Sequence, residues 1–169
     1  MSHAKNKLNW CLRKAQKELK EGQKHRGLVI IKPDKEKARE YIAKAEHYLK
    51  ATDYLEKGNF SDISASTVFY SMYHCLLAIA AKFGYESRNQ ECTFALISNL
   101  IEGGKINFEQ SLLDKIFRFE PQEDTQTSIE IREQYQYGTN LSIKDDTVYS
   151  SLFSLAQEVL SKAKVVIEE

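Results

Sequence analysis

The stretch Ile63-Ser64-Ala65-Ser66-Thr67-Val68-Phe69-Tyr70-Ser71-Met72-Tyr73-His74-Cys75-Leu76-Leu77-Ala78-Ile79-Ala80-Ala81-Lys82-Phe83 decides the fold. Lys82 is its only charged side chain, and apolar or aromatic residues fall on every face at helical spacing, the pattern of a helix enclosed by other helices. The sequence therefore predicts a central core helix over residues 63–83. Gly58-Asn59 and then Ser61-Asp62, both good N-cap types, mark its start, and Gly84 after Phe83 marks its end. Its length invites a membrane reading. Ser64, Ser66, Thr67, Ser71, His74 and the hydroxyls of Tyr70 and Tyr73 argue against one, and the flanks carry no positive-inside pattern.

Upstream, Pro33-Asp34 opens a helix running to Lys57, with Ala38, Tyr41, Ile42, Ala45, Leu49, Thr52 and Leu55 stepping along its buried side in threes and fours. Gly58-Asn59-Phe60 joins it to the central helix as an antiparallel hairpin. Before it, residues 6–21 form a basic amphipathic helix with Leu8, Cys11, Leu12, Ala15 and Leu19 on one stripe. Membrane-surface binding, nucleic-acid binding and docking on the fold are all open to such a helix, and the modest apolar stripe favours docking. Leu28-Val29-Ile30-Ile31 is too short and isolated to build a sheet by itself and is expected to pack as an extended connector.

Downstream, helices are predicted over 89–102, 108–119, 129–137 and 144–167. Pro121 to Ser128, the most polar stretch, reads as a loop. Asp145-Asp146 complement the positive end of the last helix, whose inward residues are Val148, Leu152, Leu155, Val159 and Val166. No segment alternates with a period of two, so the fold class is all-α.

With 169 residues the chain fits one core, burying roughly two thirds of its unfolded surface. Net charge is zero, yet residues 1–57 hold 15 Lys or Arg against 8 Asp or Glu, and residues 58–169 hold 9 against 16. The asymmetry either steers a polyanion to the N-terminal part, lets the two halves attract across a subunit contact, or describes solvated helix faces. Cys11, Cys75 and Cys92 are odd in number and widely spaced, which reads as a reduced, cytoplasmic chain with no zinc motif. Met1-Ser2-His3-Ala4-Lys5 leads into a charged helix rather than a signal peptide.

Chemistry is sparse. The four histidines are His3, His25, His47 and His74, and no HExxH, phosphate loop, nucleophile motif or Glu-x-x-His pair is present. No metal or cofactor is expected. His74, beside Tyr70 and Tyr73, is either a hydrogen-bonded core histidine or part of a ligand site, with the first favoured. Arg132 with Tyr135 and Tyr137 presents two equal readings. A guanidinium fork can take a phosphate bidentately while a tyrosine stacks on a base; alternatively Glu130 or Asp145 holds the arginine and the tyrosines pack at a corner.

The run Ser66-Thr67-Val68-Phe69-Tyr70-Ser71-Met72-Tyr73-His74-Cys75-Leu76 resembles the paired-aromatic, histidine-containing helix of HEPN domain proteins, in particular a small prokaryotic group. Gly27-Leu28-Val29, Pro33-Asp34-Lys35, Ala45-Glu46-His47-Tyr48-Leu49 and Gly58-Asn59-Phe60 are similar to that group's lead-in. Arg132-Glu133-Gln134-Tyr135-Gln136-Tyr137-Gly138 resembles the arginine-containing element before the family's last helix. The resemblance covers 27 to about 165 and implies residues 1–33 as a basic helix and connector, then a HEPN-like bundle over 34–169 with an up-down core of four to five helices. It implies a homodimer, with the Arg132 element lining a cleft at or near the subunit contact, and Arg132, Tyr135, Tyr137, Tyr70 and His74 as ligand-binding residues.

Such proteins accompany a minimal nucleotidyltransferase in toxin–antitoxin-like modules, and several cleave RNA without metal through an Arg-x(4–6)-His motif. Here Tyr137 stands at the histidine's place, no histidine follows residue 74, and Cys92 stands where relatives carry a histidine. A phenol of pKa about 10 is a poor general base at neutral pH. The expectation is therefore a nucleotide- or RNA-binding protein or a nucleotidyltransferase partner, with no membrane role and no strong catalysis. The alternatives are an RNA endonuclease using Arg132 and Tyr137 or His74, and a protein-binding adaptor.

Overall fold

A computed structural model describes residues 2–120 and 125–169, which form seven α-helices and two short strands. In chain order these are α1 (His3–Lys20), β1 (Leu28–Ile30), α2 (Lys35–Lys57), α3 (Ser61–Lys82), β2 (Tyr85–Ser87), α4 (Gln90–Glu102), α5 (Gln110–Ile116), α6 (Ser128–Tyr137) and α7 (Asp146–Glu168). The fold is an all-α bundle around α3, which packs against α2, α4, α6 and α7. Phe69, Met72, Leu76 and Ile79 are fully buried. Among the described residues α3 alone is long and apolar enough to cross a membrane, and 61% of that window is buried inside the fold.

The α2–α3 hairpin is close because small residues face one another. Ala38, Ala45, Ser64, Ser71 and Ala78 are all buried, and two hydroxyls bridge the helices. Ser71 Oγ donates to the Ala45 carbonyl at 2.8 Å, and Thr52 and Thr67 meet through their hydroxyls at 2.8 Å. At the connecting turn Asn59 adopts a φ of 63°. The residue flanking α3 is Phe60, which supplies no side-chain cap, so the capping expected from Ser61-Asp62 is not formed; Ser61 Oγ instead accepts from the Ile143 amide at 2.8 Å. The far end behaves as expected, with Gly84 at φ 79° immediately after the helix.

The expected connector finds a partner. β1 pairs antiparallel with β2, with Val29 opposite Glu86, because α3 ends by delivering Tyr85–Ser87 alongside it. The ladder continues as the Ile31 amide donates to the Gly84 carbonyl at 2.8 Å. A Cβ on Gly84 would lie 2.8 Å from the Ile31 carbonyl oxygen, so glycine is required there both by φ and by space.

The bundle's last helix is tied back to its first hairpin. Lys35 donates to the Glu168 carbonyl at 3.2 Å, Lys82 donates to the Val166 carbonyl, and Arg39 grips the Glu168 carboxylate through two nitrogens at 2.9 Å each. Cations at a helix C-terminus oppose its negative end. Hydrogen bonds first from Arg39 and then from Lys35 hold the Glu168 carboxyl down at about 2.

Several boundaries differ from the sequence reading, and α1 already begins at His3. α5 stops at Ile116 because Phe117 turns extended, its ring stacking on Phe94 with centroids 4.4 Å apart. Of the polar stretch expected as a loop, residues 121–124 lie outside the described residues, 125–127 are non-helical, and Ser128 already opens α6.

The thiol expectation is corrected. Cys11 on α1 and Cys92 on α4 form a disulfide with a Cα–Cα separation of 5.8 Å, while Cys75 stays free and buried. The two are 81 residues apart, so spacing along the chain carried no sign of the bond; packing of α1 on α4 brings them together. Leu8, Cys11 and Ala15 face inward as the apolar stripe predicts. Near the same junction the buried His25 Nε2 meets Glu86 Oε1 at 2.9 Å.

Candidate functional site

Arg132 enters from α6, a helix started by a full capping box. Thr127 Oγ1 accepts from the Glu130 amide, and the Glu130 carboxylate accepts from the Thr127 amide at 2.6 Å. That use occupies Glu130. Asp145 is occupied as well, capping α7 through the Thr147 amide at 2.9 Å. Neither of the two carboxylates expected to hold Arg132 does so.

Arg132 is 6% exposed. Its guanidinium carbon lies 4.7 Å from the centroid of the buried Phe69 ring and 5.8 Å from that of Tyr70. One terminal nitrogen donates to the Tyr70 hydroxyl at 3.3 Å, and the other donates to Glu133 at 3.2 Å. The Nε–H is buried without a hydrogen-bond partner among the described residues. Glu133 is half exposed on its side chain, so solvent screens its charge opposite the cation.

Tyr70 links this arginine to a second aromatic group. His74, one turn along α3, meets the Tyr70 carbonyl through Nδ1 at 2.6 Å and stacks on Tyr48 of α2 with centroids 5.0 Å apart. Tyr41 approaches the same imidazole from 6.2 Å, and Tyr48 approaches Tyr70 at 6.1 Å. A carbonyl oxygen only accepts, so neutral His74 carries its proton on Nδ1 and its lone pair on Nε2. Burial pushes the His74 pKa below its ordinary value, against the bond to the Tyr70 carbonyl; the Lys44 charge lowers it further. Lys44 itself lies over Tyr48, 5.4 Å from its centroid.

Of the residues expected at the site, Arg132, Tyr70 and His74 form one connected group. Tyr135 is half buried, and Tyr137 at the end of α6 is 76% exposed. No hydrogen bond or ring contact joins either tyrosine to Arg132 among the described residues. Sequence reasoning did not assign Phe69, Tyr48 or Tyr41 to the site. Their signal was present: Tyr41 and Tyr48 lie seven residues apart on α2, and Tyr70 and His74 four apart on α3, which makes one facing stripe on each arm of the hairpin.

The group carries hydrogen-bond donors of the kind an oxyanion takes. Because Tyr70 accepts from Arg132, its own O–H is left to donate, and the Arg132 Nε–H is a second donor without a partner. Charge-assisted bonds of this kind are the strong ones. Among the described residues no cluster of His, Cys, Asp or Glu could hold a metal ion. Compared with models of known protein families and with curated proteins, the chain matches none.

Proposed function

We propose that this chain is a HEPN-type protein that binds a nucleotide or RNA phosphate at the Tyr70–Arg132 group, without strong catalysis of its own. The observation that carries the reading is the buried guanidinium of Arg132, stacked on Phe69 and opposed by the half-exposed Glu133, with its Nε–H unpartnered among the described residues. A cation kept from water with a donor unused is a cost to the fold, and an oxyanion would relieve it. Glu133, half exposed and beside Arg132, would swing aside as the ligand arrives. The resemblance of the Arg132-Glu133 segment to the HEPN arginine element adds the nucleic-acid class, a dimer in which this face meets the subunit contact and a minimal nucleotidyltransferase as partner.

The test is binding of ATP to the purified chain by calorimetry, with Arg132→Ala and a folding check by circular dichroism. Binding that the folded variant loses supports the reading. Binding unchanged in that variant sinks it.

A second reading has one observation in its favour. His74 is held with Nε2 basic and is kept neutral by burial, as a general base for RNA cleavage requires. It predicts ribonuclease activity abolished in both Arg132→Ala and His74→Gln, and failure of either substitution to abolish cleavage ends it.

A further inference from the structure

We propose that the outer face of α1 is a docking surface for single-stranded nucleic acid, with Trp10 as the platform on which a base stacks. This surface lies on α1 and shares no residue with the Arg132 group on α6, so it stands or falls separately from the function proposed above.

Trp10 is the only tryptophan in the chain, and it is 45% exposed. Lys7 Nζ lies 4.7 Å from its ring centroid and Lys14 Nζ 5.1 Å, so two ammonium groups flank one accessible indole. At 100° per residue Arg13 and Lys17 fall beside Trp10, opposite the buried Ala4, Leu8, Cys11 and Ala15. Asn6, Arg13 and Gln16 line a shallow groove on the same outer side.

The acid of α1 itself is turned away from this surface. Glu18 is the single acidic residue within α1; it is 6% exposed and folds inward to accept from the Arg26 amide at 2.6 Å. Lys7 is shared with Glu91 at 2.5 Å and Lys17 approaches Glu21 at 3.9 Å, whereas Arg13 and Lys14 take part in no ion pair among the described residues. The segment containing this face is the one with 15 basic against 8 acidic residues, so the complementary partner is a polyanion.

The choice among polyanions follows from Trp10 and from the disulfide. An acidic peptide would draw the cations off the indole and stack nothing on it, whereas a single strand supplies phosphates and flat bases together. A lipid surface needs the apolar face of the helix. That face is committed to the fold, and the Cys11–Cys92 bond prevents α1 from rolling it outward. Trp10 and Leu19 are the only large apolar side chains of α1 that are exposed.

Trp10 also supplies the measurement, because all tryptophan fluorescence comes from the proposed surface. The full, oxidised chain is titrated with a uridine oligonucleotide of about 15 nucleotides, a length near the larger site sizes of single-strand binders. Saturable quenching is expected, with affinity falling as salt rises along a log–log slope of about −2, as for Lys7, Arg13 and Lys14 each meeting a phosphate. In anisotropy with a labelled strand, Trp10→Ala is expected to weaken binding about tenfold. The exposed Arg13→Glu variant is expected to weaken it and flatten the salt dependence. Absence of salt-sensitive quenching overturns the proposal. So does equal binding of polyglutamate with no dependence on Trp10, or a blue-shifted Trp10 on phosphatidylserine vesicles with no response to the oligonucleotide.

Discussion

The Arg132 guanidinium lies 4.7 Å above the Phe69 ring, joining residues 63 positions apart across the α3–α6 contact. A desolvated cation on an aromatic face gains about 2 kcal/mol, and the planar fork that stacks on Phe69 also reaches Tyr70 and Glu133. Lysine keeps the charge but neither stacks nor forks. Arg132→Lys is therefore expected to lower stability by about 1–2 kcal/mol, read as a lower urea midpoint with an unchanged m-value.

The Cys11–Cys92 bond closes a long loop and fixes α1 on α4. Its loss is expected to cost about 2–4 kcal/mol, seen as a lower denaturant midpoint on adding reductant. The same reductant should do nothing further to a Cys11→Ala, Cys92→Ala double variant. Thiol titration of the unreduced, denatured chain should find one reactive group, Cys75, and none before unfolding, since Cys75 is fully buried. Three reactive thiols in unreduced, denatured protein would refute the pairing.

Gly84 holds the junction between α3 and the strand pair. Alanine there meets both a positive φ of 79° and the Ile31 carbonyl oxygen at 2.8 Å. Gly84→Ala is expected to lose about 2 kcal/mol or more, with fast amide exchange appearing first at Ile31, whose N–H bonds to Gly84. Gly22→Ala is the control: its φ is also positive, at 73°, but a Cβ there meets nothing, so its cost should be the smaller.

Titration of His74 adds a pH dependence of known sign. Burial, the largest cause, lowers its folded pKa below the ordinary 6.5. The unfolded chain then binds more protons between the folded pKa and 6.5, so stability rises with pH across that window and falls as pH drops through it. The lowered carboxylates Glu86, Glu130 and Asp145 act in the same direction but at lower pH, below their ordinary values of 4.5, 4.5 and 3.8. His74→Gln is expected to flatten the stability profile between about pH 7 and pH 5 and to leave the acid limb in place. A profile identical to the parent's would show that His74 is not desolvated.

The helices were legible because each carries its own period and stop. Gly84 ended α3, and the 3- and 4-residue steps of α2 placed Ala38, Ile42, Ala45 and Thr52 inward as they are. Long-range pairings were not legible. Nothing near Cys11 in the chain refers to Cys92, and Leu28–Ile30 gains a strand partner only because α3 returns to it. At the site, Arg132, Tyr70 and His74 stood out as residue types. Tyr137 stood out equally, through its place five residues after Arg132, but a helix carries that position about 140° around from the arginine.

That angular separation gives the prediction that distinguishes an Arg132 site from a motif carried over by resemblance. Tyr70 touches Arg132 through its hydroxyl and keeps an O–H to donate, while Tyr137 is 76% exposed and touches none of the group. If phosphate binds where Arg132 is, Tyr70→Phe removes a donor to the ligand and a partner of the guanidinium. A weakening of about tenfold is expected for ATP, the scale of one hydrogen bond to a charged group. Tyr137→Phe should change neither affinity nor stability. The reverse pattern, with Tyr137→Phe weakening binding and Tyr70→Phe silent, would move the site to the exposed end of α6 and reduce the Arg132–Phe69 stack to a structural contact.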